Sequence, residues 1–122
     1  MLSRMNHFSQ EDNNPMDQKP KFVMNIIYDE EGPYMSIRKR EPMQNMFQSP
    51  CGKVERGETS WEAVIRETRE ETGRSTWPTY LFKDPEYDCH VYVYQVGYGE
   101  KLLHTEKDKM TRWKHYTWLE YE

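Results

Sequence analysis

The 122-residue sequence has no long apolar run and little cysteine. Only 35% of its residues are hydrophobic, and no stretch approaches the roughly 20 apolar residues that a membrane-spanning helix needs. Two cysteines, Cys51 and Cys89, are too few for the disulfide framework of a small secreted protein. We therefore expect a reduced, cytoplasmic protein that does not associate with membranes.

Positive charge is also in short supply. The chain has 17 lysines and arginines against 21 aspartates and glutamates, which gives a formal net charge of −4. General nucleic-acid binding depends on a basic excess that neutralises phosphates. We therefore expect no general nucleic-acid binding.

The chain divides into a polar start and one domain. Residues 1 to 20 show no hydrophobic period and are rich in Asn, Gln, Asp, Ser and Pro, which is typical of a mobile tail. The length of the remainder, residues 21 to 122, suits a single domain.

Within that domain the pattern predicts mostly strands around one helix. Trp61, Val64, Ile65 and Thr68 repeat at helical spacing, so residues 59 to 72 are predicted to be helical, with Thr59 or Ser60 as the N-cap and Gly73 as a left-handed terminator. Extended segments are predicted at residues 21 to 28, 34 to 40, 46 to 52, 76 to 82, 89 to 96 and 111 to 120. This order of elements indicates an α+β fold or a layered α/β sandwich.

The end of the predicted helix carries three clustered acids. Glu67, Glu70 and Glu71 project within an arc of roughly 100° on a water-facing edge. Like charges at this spacing repel each other, and at a C-terminus they also oppose the helix macrodipole. The cluster therefore suits a hard divalent cation such as Mg²⁺, and its alternative is a solvated acidic face.

The residues around the cluster resemble the Nudix box. That pattern needs a glycine, a glutamate, an Arg-Glu pair, a Glu-Glu pair and a second glycine at fixed spacing, and this chain supplies Gly52, Glu58, Arg66, Glu67, Glu70, Glu71 and Gly73. The resemblance implies a Nudix-like α/β (α+β) sandwich, in which a mixed sheet supports the loop and helix of the box. It also implies hydrolysis of a nucleoside diphosphate linked to another group, with Mg²⁺ or Mn²⁺.

The chain departs from the box at three positions. Thr68 and Arg74 stand where the pattern has apolar residues, and Cys51 replaces a glycine that often precedes Gly52. We expect Thr68 to weaken the core contact without breaking the site, because its methyl group can still pack. We expect the Arg74 side chain to point to solvent.

The resemblance assigns roles to the acids of the box. Glu67 and Glu71 correspond to principal metal ligands, Glu70 to a ligand or a water-holding partner, and the backbone carbonyl of Cys51 to a further ligand. Arg66 and Glu58 correspond to residues that brace the loop against the helix. As the general base, Glu106 is weakly favoured over Glu100, and Glu67 is a third option.

Substrate contacts are predicted from cations and aromatic residues near the box. Arg38, Arg40 and Lys53 can reach a phosphate, although an ordinary surface position is about as good an interpretation. Trp77 and Tyr92 can stack on a base, but alternating tyrosines in a strand are more often packing residues.

The function that the resemblance favours is a Mg²⁺-dependent pyrophosphohydrolase. Its substrate is expected to be a nucleoside triphosphate, with an oxidised one as an option, converted to a monophosphate and pyrophosphate. A dinucleoside polyphosphate hydrolase is the alternative within the family. A Nudix module that binds a nucleotide or a protein without turnover is the alternative from another class.

The last expectation concerns the segment after Trp113. Only nine residues follow it, so a C-terminal helix over the second face of the sheet is predicted to be absent or reduced to one turn. We expect a homodimer to cover the exposed face, with Tyr and Trp side chains of the last two strands in the interface.

Overall fold

The computed structural model describes residues 19 to 41, 43 to 97 and 100 to 115. Most of the predicted tail and everything after residue 115, including the predicted loss of a C-terminal helix, lie outside the described residues. The described residues form one helix, α1 (Ser60–Thr72), and seven strands: β1 (Phe22–Asp29), β2 (Gly32–Ile37), β3 (Phe47–Gln48), β4 (Cys51–Lys53), β5 (Thr79–Asp84), β6 (Cys89–Gln95) and β7 (Lys114–His115). No helix among them is long and apolar enough to cross a membrane.

The sheet is mixed and is organised around β1. β1 pairs along its whole length with β6, in parallel, and β6 pairs with the antiparallel edge strand β5. On its other side β1 pairs with β4 near its start and with β2 near its end, both antiparallel. β3 and β7 extend the sheet from β2. This architecture confirms the expected Nudix-like α/β sandwich with a mixed sheet.

The extended segment predicted over residues 46 to 52 is two strands instead of one. β3 pairs with β2, whereas β4 pairs with β1. Pro50 lies between them, and because proline has no N–H it cannot donate to a sheet ladder. Its carbonyl instead accepts a hydrogen bond of 2.8 Å from the backbone N–H of Asn25, so the chain changes partners at this residue.

α1 packs on one face of the sheet through a small core. Val23, Ala63, Val64 and Tyr92 form its buried centre. Thr68, which we expected to weaken this contact, is fully buried, and its Oγ1 accepts a hydrogen bond of 3.0 Å from Nδ2 of Asn25. The polar residue in the box is therefore matched by a polar residue on β1, and the helix keeps its close position on the sheet.

Both predicted ends of α1 are present. Thr59 is the N-cap, and with Glu62 it forms a reciprocal capping box. Gly73 ends the helix in the left-handed region with φ 75°, where a side chain would be strained.

Candidate active site

The site begins where β4 passes close to the C-terminal half of α1. A Cβ atom added to Gly52 would lie 2.1 Å from Cδ of Glu67, far inside van der Waals contact. Only glycine leaves room here for the carboxyl group. The first glycine of the box therefore places Glu67 directly against the backbone of β4.

Glu67 and Glu71 lie side by side in this gap. Glu71 is only 8% exposed, and the side chain of Glu67 is 16% exposed, so our expectation of a water-facing edge was wrong for both. The backbone N–H of Cys51 donates to Oε1 of Glu71 at 3.3 Å. Glu70 alone of the three matches the expectation, with 55% of its side chain exposed.

Enclosure beside β4 opposes the ionisation of both carboxyl groups. Burial, followed by the hydrogen bond to Glu67, raises the pKa of Glu71 to about 9. Burial also raises the pKa of Glu67. Both carboxyl groups therefore hold a proton more tightly than a free glutamate does.

Arg66 holds the loop before the helix against the acids. Its Nε and Nη2 atoms donate to the two carboxylate oxygens of Glu58, at 3.1 and 2.7 Å, and Nη2 also donates to the Lys53 carbonyl at 3.0 Å. Nη1 donates to Oε2 of Glu67 at 3.0 Å and lies 3.4 Å from Oε2 of Glu70. The predicted Arg66–Glu58 contact is thus present, and the same guanidinium orients Glu67.

Two further charged residues, Glu106 and Arg38, affect pKa values at the acid pair and at Cys51 beside it. Glu106 directly follows Thr105, whose hydroxyl donates to the Glu70 carbonyl at 2.6 Å, and the charge of Glu106 contributes to the raised pKa of Glu71. Burial and the nearby Glu71 raise the pKa of the Cys51 thiol to about 12, while Arg38 acts in the opposite direction. Arg38 directly follows β2, and its backbone pairs with Met110, four residues after Glu106.

The segment that carries Glu106 is fastened to the end of α1. The last carbonyls of the helix accept hydrogen bonds from the Thr105 hydroxyl (to Glu70, 2.6 Å), the Trp113 indole (to Glu71, 3.1 Å) and the backbone N–H of Leu103 (to Thr72, 2.8 Å). Sequence reasoning missed Thr105, because no local pattern marks a side chain that caps a helix distant in sequence.

Glu100, the alternative base, is engaged elsewhere. It accepts hydrogen bonds from the Gly97 backbone N–H and from Tyr94, and it forms an ion pair of 2.9 Å with Nη2 of Arg74. The Gly97 N–H, followed by Arg74, lowers the pKa of Glu100. Arg74, which was expected to point to solvent, keeps 39% of its side chain exposed while it pairs with Glu100.

The predicted substrate contacts fall in different places. Tyr92 lies fully buried in the core, so it offers no surface to a base, and this prediction was wrong. Trp77 is 74% exposed and stacks on Trp61, in the first turn of α1, with ring centroids 4.8 Å apart. Arg40 pairs with Asp108 at 3.4 Å. Lys53 is exposed at the end of β4, beside the loop of the box.

The donor set fits a small, hard cation. Among the described residues no group of three or more His, Cys, Asp or Glu side chains converges as a metal site. Mg²⁺, however, is usually bound through one or two carboxylates, with waters and substrate phosphates as its other ligands. The adjacent side chains of Glu67 and Glu71 supply such carboxylates, and the backbone N–H of Cys51 is in contact with Glu71.

Comparison with known proteins agrees with this geometry. The NUDIX domain profile matches residues 19 to 122. The chain is 34% identical over 73 residues to the 8-oxo-dGTP diphosphatase of Escherichia coli K12, a match that covers 58% of this chain and 57% of that protein. The chain thus matches little more than half the length of this curated relative.

Solved structures share the fold. A MutT NUDIX hydrolase from Burkholderia pseudomallei superposes with a TM-score of 0.63 at 23% identity, covering 80% of this chain and 81% of that one. An Ap4A hydrolase from C. elegans superposes with a TM-score of 0.60 at 20% identity, covering 77% of each chain. Since both are below 25% identity, they show the fold alone.

Proposed function

This chain belongs to the NUDIX family, and from that premise we propose that it hydrolyses a nucleoside diphosphate linked to another group. The substrate class that we propose is a nucleoside triphosphate, cleaved to a monophosphate and pyrophosphate. The observation that carries the proposal is the enclosed Glu67–Glu71 pair at the end of the box, because burial opposes the ionisation of two adjacent acids and a bound cation would stabilise their charged forms.

The proposed cofactor is Mg²⁺ or Mn²⁺, bound by Glu67 and Glu71. When bound, such an ion neutralises phosphate charge and lowers the pKa of a coordinated water. The Cys51 carbonyl and Glu70 are further candidate ligands, and the Glu70 side chain is more exposed than that of Glu67.

The remaining residues of the site have supporting roles in orienting the ligands, contacting phosphate and accepting a proton. Arg66 fixes the orientation of Glu67 through a hydrogen bond and ties the loop of the box to the helix through Glu58. Arg38, whose backbone pairs with the segment that carries Glu106, is our candidate for a phosphate contact. Glu106, whose charge reaches Glu71, is our candidate for the group that accepts a proton from the attacking water.

The triphosphate class draws its support from the Escherichia coli relative, whose name gives 8-oxo-dGTP as its substrate. We propose oxidised deoxynucleoside triphosphates as the first compounds to test. Because an Ap4A hydrolase also has this fold, dinucleoside polyphosphates belong in the same panel.

The test is product chromatography after incubation with Mg²⁺. Nucleoside triphosphates, their 8-oxo forms, dinucleoside polyphosphates and nucleotide sugars are compared for wild-type protein and Glu71→Gln. We expect pyrophosphate and a monophosphate from a triphosphate with wild type, and almost none with the variant. Calorimetric binding of nucleotides without any turnover would instead establish a binding module. The cytoplasmic location and the homodimer stay predictions.

A further inference from the structure

The segment from Leu103 to Trp113 is attached on two sides. Its Leu103, Thr105 and Trp113 bind the last carbonyls of α1, as described above. On the other side, the backbone N–H of Lys39 donates to the Lys109 carbonyl at 2.7 Å, next to the end of β2. The segment therefore bridges the helix that carries the acid pair and the strand that precedes Arg38.

Glu106 lies between these two attachments. Its carbonyl accepts hydrogen bonds from the backbone N–H groups of Lys109, at 3.1 Å, and Met110, at 2.9 Å, so it begins a tight turn. Thr105 immediately precedes it, and the Thr105 hydroxyl holds the Glu70 carbonyl at 2.6 Å. The position of Glu106 is thus set by one side-chain hydrogen bond on its N-terminal side and by a backbone turn on its C-terminal side.

Thr105 is exposed, and its hydrogen bond is made at the surface. Such a bond adds little to global stability, because water replaces it readily when the hydroxyl is lost. Its geometric effect is larger, since it joins a residue next to Glu106 to a residue next to Glu71. The bond therefore has more consequence for the distance between two carboxylates than for the fold.

We propose that Thr105 is a positioning residue, whose hydrogen bond to the Glu70 carbonyl holds Glu106 beside the Glu67–Glu71 pair. The proposal rests on the proposed hydrolase function. Nothing in the pattern of the box assigns a role to this residue, which lies 35 positions from Glu70. Loss of the hydroxyl is expected to leave the segment attached through Leu103 and Trp113 but to loosen the turn that carries Glu106.

The test compares Thr105→Val, which keeps the shape and removes the hydroxyl, with Thr105→Ser, which keeps the hydroxyl. Thr79→Val serves as a matched control, because Thr79 is an exposed threonine on the edge strand β5. Amide hydrogen exchange of Lys109 and Met110 is measured on the metal-free proteins by NMR. Steady-state kinetics with Mg²⁺ and the best triphosphate give kcat and KM.

We expect Thr105→Val to speed hydrogen exchange at both amides and to lower kcat by about 10-fold, which is the smaller end of the usual effect of removing an orienting contact. KM and the melting temperature should stay nearly unchanged. Thr105→Ser and Thr79→Val should match wild type in every measurement. Wild-type exchange and kcat in Thr105→Val would overturn the proposal, as would an equal loss in Thr105→Ser.

The two proposals fail in different ways. If wild-type protein hydrolyses none of the nucleotides, the proposed function is wrong, and exchange at Lys109 and Met110 alone then decides whether Thr105 fixes the turn. If wild type is active and Thr105→Val is equally active with unchanged exchange, the hydrolase stands and the positioning role is refuted.

Discussion

At the N-terminal end of α1 the cap is made by residues of the same turn, whereas at the C-terminal end two backbone carbonyls accept from side chains 35 and 42 positions away. At the N-terminus, the Thr59 hydroxyl accepts from the Glu62 N–H at 3.1 Å, and the Glu62 carboxylate accepts from the Thr59 N–H at 2.9 Å. This exchange satisfies two backbone donors locally. The acid at this end also agrees with the helix macrodipole.

The C-terminal end differs, although Gly73 caps it locally. Glu67 and Glu71 place two enclosed carboxyl groups in the C-terminal half of α1, where burial and the negative end of the macrodipole both oppose their ionisation. The carbonyls beside them are satisfied by Thr105 and Trp113 from a distant segment. Natural proteins break local rules mainly at functional sites and compensate elsewhere. We therefore infer that the N-terminal end of α1 contributes mainly to folding and that the C-terminal end contributes mainly to chemistry.

Neutral substitution of the buried acids gives the largest expected effect. Glu71→Gln and Glu67→Gln should each lower kcat by more than about 100-fold, because even residues around a metal ligand cost 10- to 100-fold when removed. Circular dichroism should show an unchanged fold. Glu62→Gln, the matched change at the N-terminal end, should leave turnover near wild type. Near-wild-type turnover of Glu71→Gln at saturating Mg²⁺ would remove Glu71 from the site.

A second comparison uses Gly52 in β4 and Gly57 in the loop between β4 and α1. Gly52→Ala should lower turnover about 10- to 100-fold, because the new Cβ occupies the position of the Glu67 carboxyl group. In Gly57→Ala the Cβ meets nothing within 4 Å, but φ is 87°, so this variant should lose about 1 kcal/mol of stability and keep its activity. Kinetics and thermal melts on both variants provide the check. Equal activity losses would mean that the loop conformation, and not the contact with Glu67, limits turnover.

The same contrast explains what the sequence could predict. Thr59, Gly73 and the spacing of the box are local features, and each was identified correctly from the residues beside it. The burial of Glu71 depends on how closely β4 approaches α1, and the Arg74–Glu100 pair joins residues 26 positions apart. Helical periodicity describes the faces of an isolated helix, so it put Glu71 on a water-facing edge that the sheet in fact covers.

The raised pKa of Glu71 predicts how stability depends on pH. Its folded value of about 9 lies above the ordinary value of 4.5, so the folded state binds the proton more tightly than the unfolded state. The contribution is fully present below about pH 4.5 and is lost as the pH rises through 9. The lowered pKa of Glu58 acts in the acid range below this window.

Melting temperatures in EDTA between pH 5 and 9 provide the measurement. We expect stability of the wild type to fall across this range, and Glu71→Gln to flatten the curve because an amide has no proton to lose. Saturating Mg²⁺ should raise the wild-type melting temperature most at high pH, where the ion no longer competes with a proton. Parallel curves for the two proteins would show that Glu71 is already ionised at neutral pH.

The smallest effects are expected from substitutions of the two threonines that bind the ends of α1. Thr59→Ala removes the acceptor for the Glu62 N–H and should lower stability by about 1 kcal/mol, which for a domain of this size shifts the melting temperature by roughly 4 °C. Because Thr59 lies two turns before the acid pair and touches neither acid, kcat should be unchanged. Thr105→Val is expected to show the reverse pattern, with kcat reduced and the melting temperature nearly constant. Thermal melts and kinetics on these two variants test whether the N-terminal contact of α1 affects only stability and the C-terminal contact affects only turnover. If Thr59→Ala lowered kcat in proportion to its loss of stability, the two ends of α1 would act as one unit, and the separation of folding from chemistry would be wrong.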